Sequence, residues 1–122
     1  MVIFLDTYAL IEIDSGNAEY KRYVISPTEA ITTIFNLAEV HFYYLKNFGQ
    51  EEADAILRLV KPIVIEIDDR IITDANKLKL VNLKKRLSFA DCIGYATARK
   101  FGAKFVTGDY AFKGLENVEF VV

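Results

Sequence analysis

Four of the 17 acidic residues in this chain lie where an acid is costly. Asp6 closes the apolar run Val2-Ile3-Phe4-Leu5, and Glu39 interrupts Asn36-Leu37-Ala38-Glu39-Val40. Asp91 lies in Phe89-Ala90-Asp91-Cys92-Ile93, and Asp109 follows Phe105-Val106-Thr107-Gly108. An ionised carboxylate in apolar surroundings carries a desolvation cost unless a cation or hydrogen-bond donors offset it. Other acids, such as Glu51, Glu52, Asp54, Asp68, Asp69, Asp74 and Glu116, lie among polar neighbours and read as solvated surface. Brought to one point, four carboxylates repel each other, and a divalent cation resolves the repulsion. Oxygen donors with no Cys or His partner select Mg2+ or Mn2+.

Each acid also has a structural reading. Asp6 can N-cap a following helix. Ser88-Phe89-Ala90-Asp91 has the form of a capping box, and a cap can also position a ligand. Asp109 after Gly108 suits a turn. Glu39 has no capping role in mid-helix, so its alternative is a place on an exposed polar stripe. Thr7 and Thr107 beside these acids are either supporting hydroxyls or backbone hydrogen-bonding groups. Asn36 lies one turn before Glu39 on the same helix face, where it either orients that carboxylate or is solvated. His41, the one histidine, lies off the Glu39 face and reads as structural or surface. Cys92, the one cysteine, has no histidine nearby in the sequence and reads as a small core residue.

The elements that must carry these residues alternate along the chain. Apolar runs predict strands at Val2–Leu5, Glu29–Thr32, Ile63–Ile67, Lys104–Thr107 and Val118–Val122. Helical spacing predicts helices over Tyr8–Ile13, Ala18–Val24, Thr33–Phe48, Gln50–Val60, Asp69–Leu87 and Ser88–Phe101. Gly49 and Gly102 stop two of them. Ala53, Ile56, Leu57 and Val60 form one inner face, and Ile71, Ile72, Ala75, Leu78 and Leu83 another. Strands separated by helices predict a three-layer α/β/α fold around a mostly parallel sheet of about four to five strands. Asp6 and Asp109 then stand beyond the carboxyl ends of strands, where open α/β sheets bind ligands. Phe35, Phe42, Tyr43, Tyr44 and Phe48 exceed what one helix face buries. Core packing is expected for at least half of them, and a subunit or partner interface for the rest.

The bulk properties narrow the classes further. A length of 122 residues fits one domain, and 52% hydrophobic with 26% charged residues excludes a disordered or low-complexity chain. One cysteine excludes an internal disulfide and points to a reducing cytoplasm. The formal net charge of −2 argues against a non-specific nucleic-acid coat. No apolar run approaches a membrane span, and the first residues lack the basic stretch of a signal peptide.

The motifs together resemble the PIN-domain family of small metal-dependent nucleases, which includes the VapC-type toxins of toxin–antitoxin pairs. The matching segments are Phe4-Leu5-Asp6-Thr7-Tyr8-Ala9-Leu10-Ile11, Asn36-Leu37-Ala38-Glu39-Val40, Leu87-Ser88-Phe89-Ala90-Asp91-Cys92 and Phe105-Val106-Thr107-Gly108-Asp109-Tyr110-Ala111-Phe112. They occur in the family's order. The resemblance implies a catalytic and metal-binding quartet of Asp6, Glu39, Asp91 and Asp109, with Thr7, Asn36 and Thr107 in support. It implies a PIN-like domain over residues 1–122 that cuts RNA with Mg2+ or Mn2+, as the toxin of a VapBC-type pair with a VapB-type antitoxin, and a homodimer. The alternatives are a PIN nuclease of RNA processing, a non-catalytic binding module, or an Asp-based phosphoryl-transfer domain. Of the last kind, a phosphatase places its second aspartate two residues after the first, where this chain has Tyr8, and a receiver domain needs an acidic pair after the first strand, where this chain has Asp6 alone. Lys84, Lys85, Arg86 and Lys113 are the cations expected to reach a phosphate backbone.

Overall fold

A computed structural model describes residues 2–122. Four strands form one parallel sheet: β1 (Ile3–Leu5), β2 (Ala30–Ile31), β3 (Lys104–Thr107) and β4 (Val118–Phe120), in the order β2-β1-β3-β4. Five helices cover it: α1 (Thr7–Asp14), α2 (Ile34–Phe48), α3 (Gln50–Val60), α4 (Asp69–Val81) and α5 (Phe89–Lys100).

The period of two along the strands divides the core into two layers. Leu5 and Val106 point to one face, where they pack with Ala9, Leu37, Val40, Ala53 and Ile56 of α1, α2 and α3. Phe4 and Phe105, paired in register and stacked at 5.2 Å, point to the other, against Ile71 and Ala75 of α4 and Ile93 and Ala96 of α5. The expected three-layer α/β/α arrangement follows. Gly94 lets α5 lie close on the sheet, since a Cβ there would stand 3.0 Å from the Phe4 ring.

Several expected elements are shorter, for local reasons. The Ile63–Ile67 strand reduces to a single bridge between Val64 and Thr32, because its neighbour β2 ends at once and Thr33 already caps α2. The sheet is therefore four-stranded. Ala18–Val24 forms only a 3-10 turn over Ala18–Tyr20, beyond which the Tyr20 and Tyr23 rings meet inside the core at 5.7 Å. The final strand stops at Phe120. The Asp69–Leu87 helix ends at Val81, where the Asn82 amide donates to the Leu78 carbonyl at 2.9 Å. A 3-10 turn over Leu83–Lys85 and a left-handed Arg86 (φ 56°) follow. Leu83 thus leaves the inner face and is exposed, as is Ile72. Of the five α2 aromatics only Tyr44 is buried, against the expectation that at least half pack inside. The core face of α2 is taken by Leu37, Val40 and Tyr44, and Phe35, Phe42, Tyr43 and Phe48 turn outward.

Candidate active site

The strand order reverses between β1 and β3, because the chain leaves β1 for β2 on one side and returns to β3 on the other. Asp6 directly follows β1, and Asp109 follows β3 by two residues. Both stand at the carboxyl ends of strands at the switch point, where α/β sheets bind ligands. Asp91 comes from the first turn of α5 and Glu39 from mid-α2. All four line one open cleft of about 700 Å3, with Thr7, Tyr8 and Ser88 among its other walls. The structure brings the four acids named from the sequence to the wall of this one cleft.

Each carboxylate is held by its own donors. Asp6 N-caps α1, its Oδ1 accepting from the Ala9 amide at 2.8 Å and its Oδ2 from the Thr107 hydroxyl. Thr107 in turn accepts from the Asp109 amide at 3.0 Å, which ties the two strand-end acids together. Asp109 caps a 3-10 turn through the Ala111 amide at 3.0 Å. Asp91 completes a capping box with Ser88, as its spacing suggested. Glu39, on the exposed side of α2, accepts from the Thr7 hydroxyl at 2.5 Å. Thr7 accepts from the Asn36 amide at 3.1 Å, and Asn36 accepts from Thr33 at 2.7 Å. Asn36 is therefore buried and reaches Glu39 through Thr7 instead of being solvated.

Burial is graded across the quartet: Asp6 is 6% exposed, Asp91 and Asp109 are half-buried, and Glu39 is open. Burial pushes the Asp6 carboxyl up to about 7, helped by the facing charges of Asp91 and Asp109 and opposed by its Thr107 and Ala9 hydrogen bonds. Burial, followed by the charge of Asp109, also raises Asp91. An oxygen-only donor set whose members disfavour one another's charge is what a hard divalent cation neutralises. The donor chemistry fits such an ion. Among the described residues no three acidic, His or Cys side chains stand close enough to hold one as they are. Each carboxylate also keeps a protein donor, as ligating carboxylates commonly do, and the quartet would have to draw closer around an ion.

A model of the PIN-domain family matches residues 3–117. The chain belongs to the PIN-domain family. No curated protein matches it in sequence. Solved structures match this PIN chain in fold. A toxin–antitoxin complex from Klebsiella pneumoniae superposes with a TM-score of 0.73 at 23% identity, over 96% of this chain and 95% of that one. VapC20 of Mycobacterium tuberculosis, described as a Sarcin-Ricin loop cleaving toxin, gives 0.73 at 22% identity, over 95% and 98%. PAE2754 of Pyrobaculum aerophilum gives 0.64 at 16%, over 99% and 90%.

Some of the cleft walls were not legible in the sequence. Tyr8 lines the cleft, and Gly108 is what admits its ring, since a Cβ at Gly108 would lie 2.2 Å from it. The Gly-Asp pair was the available signal. Phe42 and Tyr43 also line the cleft. Phe42 is three residues after Glu39 on the same helix, a spacing that could have placed it there. His41 is half-buried and pairs with Asp54 at 3.3 Å, and Cys92 is buried. Both match their structural readings.

Proposed function

We propose that residues 1–122 form one PIN domain that hydrolyses RNA phosphodiester bonds with a Mg2+ or Mn2+ ion, as the toxin of a VapBC-type pair. The observation that carries this reading is the meeting of Asp6, Glu39, Asp91 and Asp109 on one cleft at the sheet's switch point, in a PIN chain. Asp6, Asp91 and Asp109 would hold the ion, with Glu39 beside them. When bound, such an ion supplies Lewis-acid stabilisation of charge building on the scissile phosphate. Glu39, the most open of the four, is placed to take a proton from an attacking water. Thr107 holds Asp6 against Asp109, and Asn36 and Thr7 hold Glu39. The likeness to a toxin–antitoxin complex supports a VapB-type antitoxin as partner, and with it a cytoplasmic place of action. Among the described residues no helix is long and apolar enough to cross a membrane. The exposed aromatics of α2 support a homodimer. A monomeric mass in light scattering at micromolar concentration counts against that part.

The test is cleavage of a mixed pool of structured and unstructured RNAs with Mg2+ or Mn2+, against EDTA and a parallel Asp6→Asn preparation. Asn still caps a helix, so the change removes charge and spares the fold. Cutting that needs metal and Asp6 is the expected result. A folded, metal-loaded protein that cuts no RNA would refute the nuclease reading.

A further inference from the structure

The acids do not account for what stands beside the cleft. Phe89 lies between Ser88 and Asp91, yet the residue is 61% exposed. The Lys79 ammonium stands 4.8 Å from that ring's centre, anchored by donation to the Leu87 carbonyl at 2.6 Å. Tyr110 directly follows Asp109 and is 66% exposed. Lys113 stands 5.6 Å from its centre and 5.4 Å from that of Phe120, whose ring meets Tyr110 edge-on at 5.0 Å. The same unit thus occurs twice, each within two residues along the chain of an acid that lines the cleft: an open ring with an ammonium held over it.

Among the described residues the cations near the cleft have no carboxylate partner, as is also true of several elsewhere. Arg22, Arg70, Arg99 and Lys100 each pair with a carboxylate. Among the described residues Lys79, Lys84, Lys85, Arg86 and Lys113 form no salt bridge, so they remain available to an anion. Lys84, Lys85 and Arg86 occupy the tight turn that leads into Ser88 at the cleft wall. Open rings interleaved with unpaired cations suit a single strand, whose bases stack on the rings while its phosphates meet the ammonium groups. A duplex keeps its bases inside the helical stack and offers the rings nothing to stack on.

We propose that Phe89 and Tyr110 are the base-stacking platforms that seat the nucleotides flanking the scissile phosphate of single-stranded RNA. Lys79 and Lys113 brace the rings and meet the adjoining phosphates. This rests on the nuclease reading for the position of the phosphate and adds how the strand is gripped. In a chain of formal net charge −2, stacking carries affinity that a cationic field cannot.

The experiment is fluorescence anisotropy of a fluorescein-labelled adenine dodecamer RNA in EDTA, followed by cleavage kinetics with Mn2+. Phe89→Ala and Tyr110→Ala should each weaken binding about tenfold, and the double variant about a hundredfold. KM should rise in proportion with kcat much less changed, and Phe89→Tyr should restore binding. Phe101→Ala is the control: its ring, 50% exposed with Lys100 5.7 Å away, is the same pair at the far end of α5, and its loss should change nothing. Unchanged melting temperatures exclude a folding defect. If both alanine variants bind and cut like the parent protein, the platforms are wrong and the nuclease reading stands. If the parent protein binds and cuts no RNA, both fail. An equal loss in Phe101→Ala would also overturn the assignment, since it would make surface aromatics general glue.

Discussion

α5 has a charged cleft at each end, and the two are built on opposite terms. At its C-terminal end, Asp74, Arg99, Lys100 and Glu116 line a cleft of about 500 Å3. There each cation has its carboxylate: Arg99 meets Glu116 at 3.6 Å, Lys100 meets Asp68, and Arg70 meets Asp74 at 3.3 Å. These exposed pairs are worth little to stability and ask for no ligand. At the N-terminal end, Asp91 faces Asp6 and Asp109, and among the described residues no ion pair involves any of the quartet. The residue types overlap, yet only the second cleft holds unbalanced, desolvated charge. Charge kept at a cost to stability is what makes the second cleft the candidate site for chemistry.

The contrast breaks most visibly in activity. Asp6→Asn should lower metal-dependent RNA cleavage by roughly three orders of magnitude, the scale of several kcal/mol of transition-state stabilisation. Glu116→Gln, at the other end of α5, should leave the rate unchanged in the same assay.

The contrast should next appear in the pH dependence of stability without metal. Below its ordinary value of 3.8, Asp6 is neutral in both folded and unfolded chains. Between 3.8 and about 7 the unfolded chain loses a proton that the folded chain keeps, so raising the pH lowers stability. Asp91, raised in the same direction, adds to this loss. Urea unfolding with EDTA should show a decline across that window on the order of 4 kcal/mol at most, flattened in Asp6→Asn. A profile that rises with pH in this range would contradict the burial argument.

A smaller effect separates positioning from ligation. Thr7→Val removes the hydroxyl that links Asn36 to Glu39 and should lower kcat about tenfold with KM nearly unchanged. The smallest belongs to the paired cleft. Asp74→Asn breaks an exposed pair within α4 and should move stability by no more than about 0.5 kcal/mol in thermal unfolding. A loss of several kcal/mol there would dissolve the distinction between the two ends.

The site was legible where chemistry and local pattern coincide. Asp6, Asp91 and Asp109 sit at strand ends or a helix start, positions that apolar runs and the Ser88-Asp91 spacing reveal directly. The pairing of Val64 with Thr32 was not legible as one bridge, because its length depends on where β2 stops. The outward turn of Phe35, Phe42, Tyr43 and Phe48 was also hidden. Helical spacing gives a face, and only the packed fold says that Leu37, Val40 and Tyr44 fill it. The placement of Asn36 needed the third dimension for the same reason, since its partner Thr7 is 29 residues away in the chain.

The central claim is that the quartet is a divalent-cation site at which Asp6 gives up a proton. Calorimetric titration of Mn2+ at pH near 6.5, in two buffers of different ionisation heat, tests it directly. The account predicts saturable binding that releases protons in the parent protein, is lost in Asp6→Asn and survives in Glu116→Gln. Binding that Asp6→Asn leaves intact, or no binding by the folded parent protein, would contradict it.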